Sequence, residues 1–187
     1  MYEVEVKVPA DHATVRERLS ELGAEALGAV RQRDTYYDAP HREFAETDEA
    51  LRVRRVRHDP GHATGERETL VTYKGPLVDV DSKTRREHET TVGDDETADR
   101  LLRALGFEPV AVVEKERERF RVGEHTVTLD AVTDLGEYVE VETESADVDG
   151  AREAVFGTLR DLGLDPADQL RTSYLELLLA ARADGDE

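Results

Sequence analysis

Ionisable residues recur at every second position along most of the strand-like stretches of this chain. Glu3, Glu5 and Lys7 alternate with Tyr2, Val4, Val6 and Val8, and Pro9 ends the run. Arg52 and Arg54 share a face. Lys74 is in phase with Thr72; Arg85, Glu87 and Glu89 share a face, as do Lys115, Arg117 and Arg119. Asp130 follows Thr126 and Thr128 in phase, and Glu140 and Glu142 alternate with Val139 and Val141. A period of two is the signature of a strand with one apolar and one polar face. For any one strand alone, a solvated charged face is the simplest reading. Like charges two residues apart lie roughly 7 Å from each other and repel unless a neighbouring strand or a ligand compensates. Here whole strand faces are basic and others acidic. Carboxylates suit hard divalent cations and arginine forks suit phosphate, so the segregation fits a site for metal ions and a polyanion.

These residues need strands to carry them and helices to cover the other face. Asp11 caps a helix through about Leu22, and Gly23 stops it. Strands are expected at 30–37, 50–57, 68–74, 84–92, 112–122, 126–130 and 138–144. Further helices are expected at about 96–105, 150–162 and 173–181, and the tail 184–187 reads as frayed. Leu22-Gly23 and Leu105-Gly106 end helices in similar strand–helix–strand settings, a weak internal repeat that suggests two related half-barrels. The helix stripes Leu19/Leu22, Leu101/Leu102/Leu105 and Val155/Leu159/Leu162 require apolar partners. If the strand valines face outward, they supply those partners and leave the charges to line an interior. An open sheet with one wet face satisfies the same pattern. Either way the fold class is α+β, in one domain spanning 1–187. Burying unpaired charges costs several kcal/mol each, so a charged interior must hold water or ions.

Composition narrows the setting. The chain has 187 residues, a formal charge of −19 and no cysteine, which excludes thiolate metal sites and a disulfide framework. The acidity is spread along the chain and argues against nucleic acid as a partner. Lys7, Lys74, Lys83 and Lys115 are its only lysines, against 21 arginines. An acid-rich, lysine-poor surface suggests adaptation to high salt. No stretch has the length and apolarity of a membrane span, and the chain reads as soluble and cytoplasmic.

Taken in order, the motifs resemble the CYTH, or triphosphate tunnel metalloenzyme, superfamily. They are Glu3-Val4-Glu5-Val6-Lys7, Leu51-Arg52-Val53-Arg54, Thr72-Tyr73-Lys74-Gly75-Pro76, Thr84-Arg85-Arg86-Glu87, Lys115-Glu116-Arg117, Leu129-Asp130, Gly136 through Glu142, and Ser173-Tyr174-Leu175-Glu176-Leu177-Leu178. The run Gln32 through Asp38, leading to Phe44 and then 48–52, resembles the class IV adenylate cyclase branch. The resemblance implies an eight-stranded antiparallel β-barrel, a triphosphate tunnel with helices outside, working with Mg²⁺ or Mn²⁺. It makes Glu3, Glu5, Asp130, Glu140 and Glu142 the metal carboxylates. Lys7, Arg52, Arg54, Lys74, Arg85, Lys115 and Arg117 become the phosphate clamp. Lys7, Asp130 and Glu87 are then the residues nearest the chemistry, with Glu87 orienting a basic neighbour. Arg86 stands where relatives often carry an acid, which leaves the pairing of Arg85 with Glu87 open.

The implied activity is conversion of ATP to cyclic AMP and pyrophosphate. The alternatives are hydrolysis of inorganic, thiamine or nucleoside triphosphate in the same tunnel, and a non-catalytic polyphosphate- or nucleotide-binding module. Homodimers are common in the superfamily. Smaller signals receive smaller readings. His58 and His62 lie in a Pro/Gly loop, and His12, His41, His88 and His125 are expected at the surface. Arg119 and Arg121 either extend the basic stripe or face solvent. Only one of Tyr36 and Tyr37 can face inward, and Arg171 is expected to make a salt bridge beside the last helix.

Overall fold

Among residues 2–58, 67–76 and 85–185, those the computed structural model describes, eight strands form one antiparallel sheet. The first half runs β1 (Tyr2–Pro9), α1 (His12–Glu21), β2 (Glu25–Asp38), the short α2 (Phe44–Thr47), β3 (Ala50–His58) and β4 (Arg67–Lys74). The second runs β5 (Glu87–Val92), α3 (Asp95–Ala104), β6 (Glu108–Val122), β7 (His125–Val132) and β8 (Gly136–Ser145). Then follow α4 (Val148–Asp161), a 3₁₀ turn (Pro166–Asp168) and α5 (Tyr174–Gly185). Spatial order is β1-β8-β7-β6-β2-β3-β4-β5. The two halves therefore repeat one plan, a strand, a helix and a three-stranded meander. They join along β2 and β6 and exchange their first strands, β1 to β8 and β5 to β4. The sheet curls until its edges approach, where Glu3 bridges to Arg85 just ahead of β5. The expected eight-stranded antiparallel barrel, with charges inside and helices outside, is the fold of this chain.

The valines of β1 and β8, with Val127 of β7, face outward. Val6, Val8, Val127, Leu129, Val139 and Val141 pack with Val15 and Leu19 of α1 and with Val155, Leu159 and Leu162 around α4. Each such side chain contributes about 1.5–3 kcal/mol on burial, more than helix propensity offers. A second cluster holds Tyr37, Phe44, Leu51 and Val53 against Ala98 of α3. Asp11, Asp94 and Asp147 cap α1, α3 and α4 through the amides of Thr14, Thr97 and Gly150. The same helices end on Leu-Gly, and Gly23, Gly106 and Gly163 take the left-handed conformation at φ 68°, 91° and 79°.

Between the parts covered by α1 and α3, the outer face of β2 and β6 is laced with ion pairs. Arg33 meets Glu114 at 2.9 Å, Arg31 meets Glu116 at 3.0 Å, and Arg16 of α1 meets Glu118 at 2.5 Å. These pairs compensate the acidic face of β6 while its basic face turns inward.

The structure corrects several expectations. Leu101 and Leu105 are 59% and 68% exposed and Leu22 is 43% exposed, so Leu102 and Leu19 carry those stripes inward. Helical spacing places three leucines within one broad arc, but a short helix lying on a curved sheet touches only its central line. His12 is buried, its Nε2 2.9 Å from the Tyr138 carbonyl, because the helix begins directly over β8. β2 and β6 are longer than their alternation suggested, with a bulge at Ala26/Gly28. Thr84, Lys83 and His62 lie outside the described residues. No helix among the described residues is long and apolar enough to cross a membrane.

Candidate functional site

The inward faces enclose a cavity of about 560 Å³. Its lining includes Glu3, Glu5, Lys7, Arg52, Arg54, Lys74, Arg85, Glu87, Lys115, Arg117, Arg119, Glu140 and Glu142. Strand parity aims these side chains inward, and register sets which meet. Glu5 lies opposite Glu142 and Lys7 opposite Glu140 across β1 and β8, while Arg117 faces Asp130 across β6 and β7.

The acidic residues fall into two groups. Glu3, Glu5 and Glu142 bring one carboxylate oxygen each to within 4.8 Å of one another. Burial pushes Glu3 up to about 8, with Glu87, Glu5 and Glu142 adding to the shift against the pull of Lys74. Burial likewise pushes Glu142 up to about 7, reinforced by Glu5 and Glu140. For Glu5 burial also acts upward, but Lys74, Lys7, Arg117 and Lys115 outweigh it and hold it low. Gathered buried carboxylates raise one another's pKa, and a bound cation would reverse that shift. Three hard oxygen donors on two adjacent strands fit a divalent cation.

Asp130 and Glu140 stand in the second group. The fully buried Asp130 carboxylate accepts from Arg117 at 2.7 and 2.6 Å and from Lys115 at 3.1 Å. Arg117 also reaches Glu140 at 2.6 Å. Burial works to raise Asp130, but Arg117 and Lys115 outweigh it and hold the carboxyl well below the usual carboxylate range. Lys115 is lowered to about 8 by burial and by Arg117, against Asp130 and Glu140.

Opposite, Arg54 forks onto Asp34 with two 2.7 Å hydrogen bonds, and Arg52 lies 3.5 Å from the same carboxylate. Lys74 pairs with Glu87, so Glu87 does adjoin a basic neighbour. Arg85 turns instead to Asp48, donating to its carbonyl at 2.5 Å and meeting its carboxylate at 3.3 Å. Arg52 Nε, Gln32 Oε1 and the Tyr174 hydroxyl are buried beside the cavity with no hydrogen-bond partner among the described residues. Buried polar groups are paired in most folded proteins, so these point to water or ligand in the cavity.

Asp34, Asp48 and Tyr174 escaped the sequence reading as site residues. Asp34 shares the inward parity of Gln32 and Tyr36, and its register opposite Arg54 is the signal that identifies it. Of the tyrosine pair, Tyr36 borders the cavity and Tyr37 also packs outward, donating to Asp99 of α3 at 2.5 Å. Arg119 lines the cavity, Arg121 pairs with Glu25 at 3.7 Å outside it, and Arg171 is exposed.

The model of the CYTH domain matches residues 1–174. The chain belongs to the CYTH domain family. A relative from Methanocaldococcus jannaschii, named "Putative adenylate cyclase MJ0240", is 36% identical over 181 residues, covering 95% of this chain and 98% of its own. The solved structure of PH1819 from Pyrococcus horikoshii is 40% identical with a TM-score of 0.86, over 95% of this chain and 98% of that one. That of a "putative adenylate cyclase" from Vibrio parahaemolyticus is 25% identical with a TM-score of 0.80, over 96% and 98%.

Proposed function

We propose that this CYTH protein is a divalent-metal-dependent enzyme that converts ATP to cyclic AMP and pyrophosphate. The observation that carries the reading is the carboxylate trio Glu3/Glu5/Glu142 facing a wall of lysine and arginine in one 560 Å³ cavity. The cyclase assignment draws on the 36%-identical relative named "Putative adenylate cyclase MJ0240".

Glu3, Glu5 and Glu142 would hold the metal, with Asp130 and Glu140 close behind. Bound Mg²⁺ or Mn²⁺ would supply charge neutralisation to the phosphate oxygens and lower the pKa of the attacking hydroxyl. The chain does the rest by positioning and electrostatics. Arg52, Arg54, Arg85 and Arg117 offer planar forks to phosphate oxygens, and Lys7, Lys74 and Lys115 add point charges along the cavity. Asp34, Glu87 and Asp130 hold Arg54, Lys74 and Arg117 in place before substrate arrives. The ribose 3′-oxygen bonds to the α-phosphorus and gives its proton to water in the cavity, the bond from the α-phosphorus to the α,β-bridging oxygen breaks, and pyrophosphate carries the developing charge into the basic wall.

The test is product analysis in high salt with Mg²⁺ or Mn²⁺ and either ATP or tripolyphosphate. Cyclic AMP with pyrophosphate is expected from ATP. Orthophosphate from tripolyphosphate without cyclic product would make the protein a triphosphatase. Binding of either compound without turnover would make it a binding module.

A further inference from the structure

Residues 170–176 are tied to the opening strand by reciprocal hydrogen bonds. Leu170 N–H donates to the Lys7 carbonyl at 2.7 Å, and Lys7 Nζ donates to the Thr172 carbonyl at 2.7 Å. The next turn starts at a fixed point because Ser173 and Glu176 form a capping box. Glu176 Oε2 accepts from Ser173 N–H and Oγ at 2.6 Å, and Glu176 N–H donates back to Ser173 Oγ at 3.1 Å. Tyr174 is thereby placed at the cavity wall, where its ring packs edge-on against Tyr138 at 5.2 Å. Lys7 Nζ lies 4.2 Å from the Tyr174 ring centroid and Lys115 Nζ lies 4.9 Å from it. Two ammonium groups drawn to one ring repel each other, and an aromatic face in a desolvated site offsets part of that repulsion. Tyr174 is 7% exposed and its hydroxyl has no partner among the described residues, so the ring is held by packing and by the lysines.

We propose that Tyr174 is a positioning residue of the phosphate clamp, its ring fixing the ammonium groups of Lys7 and Lys115 where a triphosphate is held. The inference rests on the reading of these lysines as phosphate ligands. It also accounts for the motif Ser173-Tyr174-Leu175-Glu176, in which the capping box sets the aromatic ring and the ring sets the two lysines.

The scarcity of lysine makes this measurable. With ¹³Cε-lysine labelling the protein gives four signals, from Lys7, Lys74, Lys83 and Lys115. Lys7→Arg and Lys115→Arg assign two of them. In the wild-type protein the Hε protons of Lys7 and Lys115 are expected upfield of ordinary lysine, shifted by the ring current. Tyr174→Phe should keep those shifts and bind tripolyphosphate within about threefold of wild type, because the face is retained. Tyr174→Leu should lose both shifts and bind on the order of tenfold more weakly, with Tyr174→Met as the substitute if the leucine variant does not fold. Ordinary lysine shifts in the wild type overturn the inference, as does a Phe variant as weak as the Leu variant. Failure of the wild type to bind tripolyphosphate overturns the reading of the site and this inference with it. Wild-type binding left unchanged in the folded Leu or Met variant overturns this inference alone.

Discussion

Replacing Asp34 with asparagine should destabilise the metal-free protein by about 2–4 kcal/mol, and bound triphosphate should shrink that loss. Asp34 accepts two 2.7 Å hydrogen bonds from Arg54 and lies 3.5 Å from Arg52, with all three side chains less than a tenth exposed. Removing one partner of a buried ion pair costs about 3–5 kcal/mol, since the other charge is left uncompensated. The two guanidinium groups border a cavity that admits water, so the lower part of the range applies. For a chain of this length, ~2–4 kcal/mol corresponds to a fall of roughly 5–15 °C in Tm. Urea or thermal unfolding of wild type and variant, each with and without tripolyphosphate, yields the stability loss in each condition and the coupling between them. The anion can take over both arginines, so the gap between the two proteins should narrow when it is present. A variant within about 0.5 kcal/mol of wild type in its absence would refute the claim that Asp34 compensates Arg52 and Arg54.

Other perturbations test separate parts of the structure. Glu142→Gln should weaken Mn²⁺ binding by about tenfold or more by titration while leaving the metal-free Tm equal or higher, because it removes one of three crowded carboxylates; a lower Tm with unchanged metal affinity would place the ion elsewhere. Arg54 and Arg52 outweigh burial at Asp34, as Arg117 and Lys115 do at Asp130, so both carboxyls lie below their ordinary 3.8 in the folded state. Their contribution to stability is full above that value and is lost as pH falls below it toward the folded values, so urea midpoints should fall steeply on acidification below about pH 4. Asp34→Asn should flatten that slope. Leu105→Glu should change unfolding free energy by less than about 0.5 kcal/mol, since the side chain is 68% exposed; a larger loss would mean that α3 packs through that face.

Alternation alone exposed most of the fold. The valine and charge phases of 2–8, 112–122 and 138–144 place the strands, and the helix stripes settle which face turns out. Register was not legible, and with it went the partners of each charge. Asp34 looked like one more polar residue in a mixed strand until β2 met β3 and set it opposite Arg54. The family resemblance names five acids as one set; cross-strand geometry brings Glu3, Glu5 and Glu142 together and engages Asp130 and Glu140 with Arg117. Helix contacts suffered for a different reason. Spacing gives an arc of apolar residues, and the curvature of the underlying sheet decides which part of the arc is covered, as Leu102 and Leu105 illustrate.

The exchange of outer strands between the two halves also fixes when this protein can become itself. β1 carries Glu3, Glu5 and Lys7, yet its partner β8 begins at Gly136, so the opening strand must wait for most of the chain before it can pair. Pairings so distant in sequence carry a large loop-closure cost before any contact rewards them, and they slow folding. During synthesis β2, β3 and β4 can zip as a local meander, while β1 is left with a bare edge and an unmatched row of valines. Charges on an exposed edge strand oppose its pairing with another chain. The carboxylates and lysine that line the cavity thus sit on the strand whose partner is synthesised latest, and the β1–β8 seam brings them to the rest of the site.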